Sequence, residues 1–372
     1  MATRVQTAQR SAGHFAPLDS VRAFAVTGVV LSHSIPGDWW VMVVSPGGTG
    51  VWVFFVLSGF LITRILIRER DAAESSGQSK AQALRRFYAR RALRILPLFY
   101  TVLLVLVVLI PDEIRDSLPW HVVYAGNYYN ARQGEWPGPA SHFWSLAVEE
   151  QFYLVWPFVV LFVSSTMLPR IIMLGVLAGP VSRGLAFLIT RNDVVPYVLT
   201  TSCLDGLGAG ALLAHLHSTA GGFAEVRSVV GRRIALAGIV LYSAIMLVAR
   251  GADLLLIDIV GSNLAISLFA FGVIHAIVAR DAPASRLLSW RPLTYLGGIS
   301  YGIYAWHYTL RSGFDALQRL AGSTRRFPAP GWWCFAVTMA LAVTIASTSW
   351  YGFERPLNGL KARFPYQPAA PR

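Results

Sequence analysis

The sequence predicts an all-α polytopic membrane bundle of about ten transmembrane helices. Three observations carry that reading. Of 372 residues, 55% are hydrophobic and only 14% are charged, with a mean hydropathy of +0.51. Soluble domains average about 45–50% apolar and about 25% charged residues. The shortage of charge is too large for a water-facing surface, which excludes an ordinary cytosolic enzyme, a disordered chain and a nucleic-acid-binding domain. The apolar residues are gathered into ten stretches, each near the ~20 residues that a helix needs to cross a bilayer. The +13 net charge forms no water-facing patch; it clusters at the ends of those stretches, the pattern of membrane orientation.

The first span, 19–35, is interrupted by Asp19, Arg22 and His33 and ends at Pro36-Gly37-Asp38. No small-residue cleavage site follows, so it is not a signal peptide. The second, 49–68, is Phe-rich, and the third, 93–111, follows a basic loop at 69–92. The fourth, 143–164, opens on an acidic pair, and the fifth is 168–189. The sixth, 196–217, carries Asp205 before Gly206, Gly208 and Gly210, a pattern for close packing or for ligand approach. The seventh and eighth are 232–250 and 254–279, the ninth, 293–312, holds Tyr301, Tyr304 and His307, and the tenth is 331–353. Residues 1–17 and 358–372 are left as tails around a membrane domain of 18–357. With ten spans both termini share a side. Placing them in the cytoplasm puts 22 Lys and Arg in inner segments against 8 in outer loops.

Two cysteines exclude a disulfide framework and a Cys-based zinc site. The eight histidines are scattered over different spans, so no metal is expected. The outer loop 112–142 mixes Trp120, Tyr124, Asn127, Tyr128, Tyr129, Asn130 and Trp136, suited either to a sugar or to a membrane interface.

Ionisable residues inside spans are costly, so each is a candidate for function. Arg22 and His33 lie eleven residues apart, about three helical turns, and share a face, with the imidazole about 16 Å beyond the guanidinium. Asp19, three residues before Arg22, can pair with it. Such a stripe lines a cavity or is buried against other helices. His33 suits general-base work, and a structural histidine bonded to a neighbouring helix fits the same pattern. His142, Ser145, Glu149 and Tyr153 fall on one helix face, whereas Glu149 and Glu150 point about 100° apart. One carboxylate can orient His33 and the other pair with an arginine; two structural salt bridges are the alternative. His307 is a second base candidate. Ser58-Gly59 permits close backbone approach. Arg90, Arg91 and Arg94 can clamp phosphates or simply anchor the helix.

Together the motifs resemble the acyltransferase-3 family of integral-membrane O-acyltransferases. Leu18-Asp19-Ser20-Val21-Arg22-Ala23 with His33 is similar to the family's opening Arg-x10-His pattern. Phe54-Phe55-Val56-Leu57-Ser58-Gly59-Phe60 resembles its second signature, and Phe87-Tyr88-Ala89-Arg90-Arg91-Ala92-Leu93-Arg94 its inner arginine motif. Phe143-Trp144-Ser145-Leu146-Ala147-Val148-Glu149-Glu150-Gln151-Phe152-Tyr153 resembles its most recognisable segment. Ile299-Ser300-Tyr301-Gly302-Ile303-Tyr304-Ala305-Trp306-His307 and Glu354-Arg355-Pro356-Leu357 resemble the late pair.

The resemblance implies an enzyme in the bacterial inner membrane that moves an acyl group, acetyl first among candidates, from cytoplasmic acyl-CoA to a hydroxyl. The acceptor would be a surface glycan, a glycolipid or another sugar-containing molecule on the outer side; a small-molecule antibiotic such as a macrolide is the alternative. A transporter without acyl transfer is the rival from another class. Some members append a soluble hydrolase-like domain, and none is expected here. The expected site has His33 as general base, or as the carrier of an acyl-histidine intermediate, with Glu149 holding its tautomer. Asp19, Arg22, Glu150, Tyr153, Tyr301 and His307 are expected at the substrate. Ser58, Gly59, Arg90, Arg91 and Arg94 are expected at the acyl-CoA.

Overall fold

The computed structural model describes residues 15–35, 37, 44–77, 79–219, 226–251, 254–279, 287–323 and 326–366. Arg4, Arg10, Arg280, Arg286, Arg325 and Arg372 of the charge count lie outside the described residues, as do Pro36, Asp38, residues 1–14 of the first tail and 367–372 of the last. Among the described residues every regular element is helical.

Among the described residues seven helices are long and apolar enough to cross a membrane: Pro46–Ser76, Lys80–Leu109, Ser141–Phe162, Leu168–Thr190, Ser228–Ala249, Leu255–Val278 and Trp332–Arg363. They match seven of the ten expected spans. The stretches at 19–35, 196–217 and 293–312 are helical but do not meet that measure. Helix α1 (Ala16–Ser34) has 19 residues and carries Asp19, Arg22 and His33. The stretch at 196–217 holds a helix of only 15 residues, Leu204–Ser218. The ninth stretch breaks at Ile299 and Tyr308 into Arg291–Gly298, Ser300–His307 and Thr309–Leu320.

The long helices start and stop where local chemistry dictates. α2 (Pro46–Ser76) opens on proline, whose fixed φ suits a first turn, and stops at Gly77, where the backbone turns left-handed at φ 67°. α3 (Lys80–Leu109) is capped by Ser79, whose Oγ accepts from the Ala81 N–H at 3.2 Å. α4 (Trp144–Phe162) and α5 (Leu168–Thr190) follow, then α6 (Leu204–Ser218).

Helix crossings use the small residues. A Cβ added at Gly59 of α2 would stand 2.0 Å from the Leu207 carbonyl oxygen, and one at Gly210 of α6 would stand 2.0 Å from that of Val56. The two backbones therefore touch, and only glycine allows it. Asp205, at the start of α6, resolves as packing too. Arg183 of α5 is fully buried and donates to Asp205 Oδ2 at 2.7 Å and Oδ1 at 3.0 Å. The guanidinium also donates to the Ile259 and Val260 carbonyls, so this buried charge is paired rather than waiting for a ligand.

The last long helix, α7 (Trp332–Ser349), runs into a π-helical turn at Trp350–Glu354. Such insertions re-aim side chains. Here the turn brings Glu354 onto the wall of the central cavity.

Candidate active site

A cavity of about 2270 Å³ enters the bundle from the end that carries the arginine motif. Each wall is a helix face with its own spacing rule. From α1 come Asp19 and Arg22, bonded at 2.6 Å. From α2 come Phe54, Phe55, Ser58, Arg64 and Arg68; from α3, Arg90, Arg91 and Arg94. α4 contributes Ser145, Glu149 and Tyr153, which repeat every four residues and so stack along one face. Ser300, Tyr301 and Tyr304 close the inner end, and Glu354, Arg355 and Lys361 stand near the mouth.

The electrostatics are one-sided. Nine cationic side chains line the cavity against four carboxylates. Asp19 is tied to Arg22, and Glu69 to Arg86 at 2.9 Å. Glu149 accepts from Ser58 Oγ at 2.6 Å and Tyr153 Oη at 3.3 Å, with the Arg91 guanidinium 4.7 Å above the Tyr153 ring. Glu354 accepts from Ser349 Oγ at 2.5 Å. An elongated ligand with several negative charges at one end fits such a space.

Beyond the inner end stand three imidazoles. His33 of α1, His142 before α4 and His307 at the end of Ser300–His307 converge from three distant parts of the chain. His33 Nδ1 lies 3.0 Å from His307 Nε2, and the His142 and His307 ring centroids are 5.3 Å apart. The protons follow from the chain of partners. His307 Nδ1 is 2.7 Å from the Tyr304 carbonyl, which only accepts, so Nδ1 carries the hydrogen. In neutral His307, Nε2 is then an acceptor, and His33 Nδ1 must donate to it. The His33 Nε2 lone pair is left for another partner, and His33 is the exposed member of the three.

One layer of side chains separates cavity and histidines. Tyr304 Oη donates to the His142 carbonyl at 2.7 Å and stands 2.6 Å from Ser145 Oγ. Its ring faces the cavity on one side and lies 5.6 Å from the His307 ring on the other.

The expected residues separate into groups. Asp19, Arg22, Ser58, Arg90, Arg91, Arg94, Glu149, Tyr153 and Tyr301 share the cavity wall. His33 and His307 sit together across the Tyr304 layer. Glu149 does not reach His33: its oxygens are held by Ser58 and Tyr153, and the partner of His33 is His307. Glu150 does not line the cavity, and its Oε1 is buried without a hydrogen bond among the described residues. Gly59 is taken up by the contact with Leu207 instead of lining the cavity. His142, Tyr304 and Lys361 were not singled out for the site by sequence. Tyr304 and His142 had a periodicity signal, each on a helix face with another candidate; Lys361 had none.

The outer loop is mostly stitched to the bundle. Asn127 and Asn130 are buried and donate to the Val198 and Ser141 carbonyls at 3.2 and 3.0 Å. Tyr124 stacks on Phe99 at 4.3 Å, and burial pushes its hydroxyl well above the usual phenol range. Trp136 and Tyr128 remain exposed. No group of three His, Cys, Asp or Glu side chains among the described residues is arranged to hold a metal ion.

A family model described as an acyltransferase domain matches residues 15–349. The chain is 30% identical over 322 residues to O-acetyltransferase OatA of Staphylococcus aureus (strain NCTC 8325 / PS 47), covering 79% of this chain and 50% of that protein. It is 27% identical over 380 residues to peptidoglycan O-acetyltransferase OatA of Listeria monocytogenes, covering 95% and 57%. With a putative peptidoglycan O-acetyltransferase, YrhL of Bacillus subtilis, it shares 28% over 367 residues, covering 92% and 54%. The chain thus spans about half the length of these curated relatives. No solved structure matches.

Proposed function

We propose, from the premise that this chain belongs to the acyltransferase-3 family, that it is a membrane O-acetyltransferase using acetyl-CoA and a sugar-containing hydroxyl acceptor. The observation that carries the reading is the pairing of two features across one side-chain layer. On one side is a cavity of excess positive charge; on the other is an imidazole whose outward nitrogen keeps its lone pair.

The basic end faces the cytoplasm, as the distribution of Lys and Arg favours. The phosphates of the donor rest among Arg91, Arg94 and their neighbours, and the pantetheine arm extends along Ser58 and Tyr153 toward Tyr304. Displacement of Tyr304 brings the thioester to His33. The acceptor hydroxyl approaches from the opposite end and hydrogen-bonds to His33 Nε2. His33 removes its proton as the oxygen attacks the thioester carbonyl. A C–O bond forms and the C–S bond breaks. The coenzyme thiolate leaves and takes the proton from the imidazolium. The positive charge on His33 is shared through Nδ1–H with His307, and from His307 Nδ1–H with the Tyr304 carbonyl. A neutral imidazole here does the orienting work expected of Glu149. Glu149 instead holds Ser58 and Tyr153 at the wall along which the arm lies.

The test is transfer from radiolabelled acetyl-CoA in inverted membrane vesicles. Wild type should label a glycan or glycolipid, and His33→Ala should not, at equal membrane abundance. Retained labelling by His33→Ala removes the base; no labelling by either protein removes the donor or the enzyme reading.

A further inference from the structure

Beside the cavity mouth, residues 360–366 form a strap across α3. Arg90 was expected to clamp a phosphate. Instead its Nη1 donates to two strap carbonyls, Lys361 at 2.9 Å and Phe364 at 3.1 Å. Its guanidinium lies 4.3 Å over the Tyr366 ring. A planar fork that spans two carbonyls and stacks on an aromatic face is a use of arginine that lysine cannot copy. The strap is also tied at its start, where Lys361 Nζ contacts Asn358 Oδ1 and Asn358 Nδ2 donates to the Glu354 carbonyl at 2.8 Å.

Anchored in this way, the strap turns Lys361, Pro365 and Tyr366 onto the cavity wall. The Lys361 ammonium is thereby gathered with Arg90, Arg91 and Arg94, which repel it. Holding four cations together at a half-buried mouth is unfavourable unless an anion with several charges joins them. Burial of the neighbouring Tyr366 pushes its hydroxyl upward, so the ring stays neutral and apolar.

We propose that the strap is the outer wall of the acyl donor's dock, with Lys361 taking a donor phosphate and Arg90 acting as the positioning residue that holds the strap. This rests on the acetyl-CoA reading above and adds three residues to it: Lys361, Tyr366 and, in a new role, Arg90. It also predicts which part of the donor is felt. Lys361 senses the phosphates and not the pantetheine arm.

The experiment uses the full-length protein in phosphatidylcholine nanodiscs, with coenzyme A as the binding probe and both acetyl-CoA and acetyl-pantetheine as donors. Lys361→Gln should weaken coenzyme A binding about five- to tenfold, the loss of one partly solvated charge-assisted contact. It should leave turnover of the phosphate-free donor at the wild-type rate. Arg90→Lys should raise the KM for acetyl-CoA with little change in kcat. Wild-type binding of coenzyme A to both variants would overturn the strap. So would an equal loss with both donors, which marks a merely structural role. An effect of Lys361→Gln seen only with phosphatidylglycerol in the disc would assign the cation to a lipid headgroup, which also overturns it. Failure of the wild type itself to bind coenzyme A overturns the donor reading first, and is read separately from the variants.

Discussion

Replacing His307 by alanine tests the proposed mechanism by separating its general base, His33, from the group that orients it. In the structure His307 Nε2 is 3.0 Å from His33 Nδ1, and His307 does not line the cavity. In the resting enzyme this is a hydrogen bond between neutral groups, worth about 1 kcal/mol. In the proposed mechanism His33 takes the acceptor's proton, and the same bond then becomes charge-assisted and is worth about 1.5–3 kcal/mol. The difference of about 0.5–2 kcal/mol acts only in the transition state, and its loss lowers kcat by about 2- to 30-fold. His33→Ala removes the base itself, at about 10²–10⁴-fold. The KM for acetyl-CoA should stay within about twofold in His307→Ala, because no donor contact is lost. His307→Gln should recover part of the rate, since its amide oxygen can accept from Nδ1–H. The assay is initial rate of label transfer in vesicles at matched protein abundance. The double variant should be no slower than His33→Ala alone. A wild-type kcat in His307→Ala, or a loss that multiplies with that of His33→Ala, refutes the relay.

Three further outcomes follow from other parts of the molecule. Glu149→Gln places an amide where Tyr153 Oη now donates, so it should raise the donor KM more than it lowers kcat, by about tenfold, in steady-state kinetics against acetyl-CoA. Gly59→Ala forces a Cβ into the Leu207 carbonyl and should cost about 1–3 kcal/mol, seen as a thermal midpoint several degrees lower in detergent, with the donor KM of the surviving protein unchanged. Burial of His121 in the outer loop disfavours its charged form and pushes its imidazole down from the usual 6.5 to about 4 in the folded protein. The unfolded chain therefore binds more protons between those values. Stability should fall by ~3 kcal/mol as pH drops from about 6.5 to about 4, and His121→Gln should lack that component in midpoints measured across the same range.

The membrane bundle was legible from composition alone, because apolar stretches of span length with cations at their ends admit few other solutions. Local spacing was equally informative. Asp19 with Arg22, and Ser145 with Glu149 and Tyr153, share helix faces by the 3.6-residue period, and both sets line the cavity. The divergence of Glu149 and Glu150 followed from the same period. The three stretches that are helical but fall short of the span measure show the limit of hydropathy. A helix buried among its neighbours can be short, broken or charged, because protein rather than lipid satisfies its polar groups.

What only the tertiary structure decided is which residue meets which across helices. His33 and His307 are 274 positions apart, and no periodicity within one helix links them. Spacing made Glu149 a fair partner for His33, but α2 places Ser58 nearer and takes the carboxylate. Gly59 carries the same signal for ligand approach as for helix contact, and the crossing of α6 settled it in favour of contact. Arg90 looked like its neighbours Arg91 and Arg94 until the strap, arriving from 271 residues away, claimed its donors. Residue types and faces are one-dimensional properties that the chain carries everywhere. Partners are set by which faces close on each other, and in a bundle that choice is made by the packing of all the helices at once.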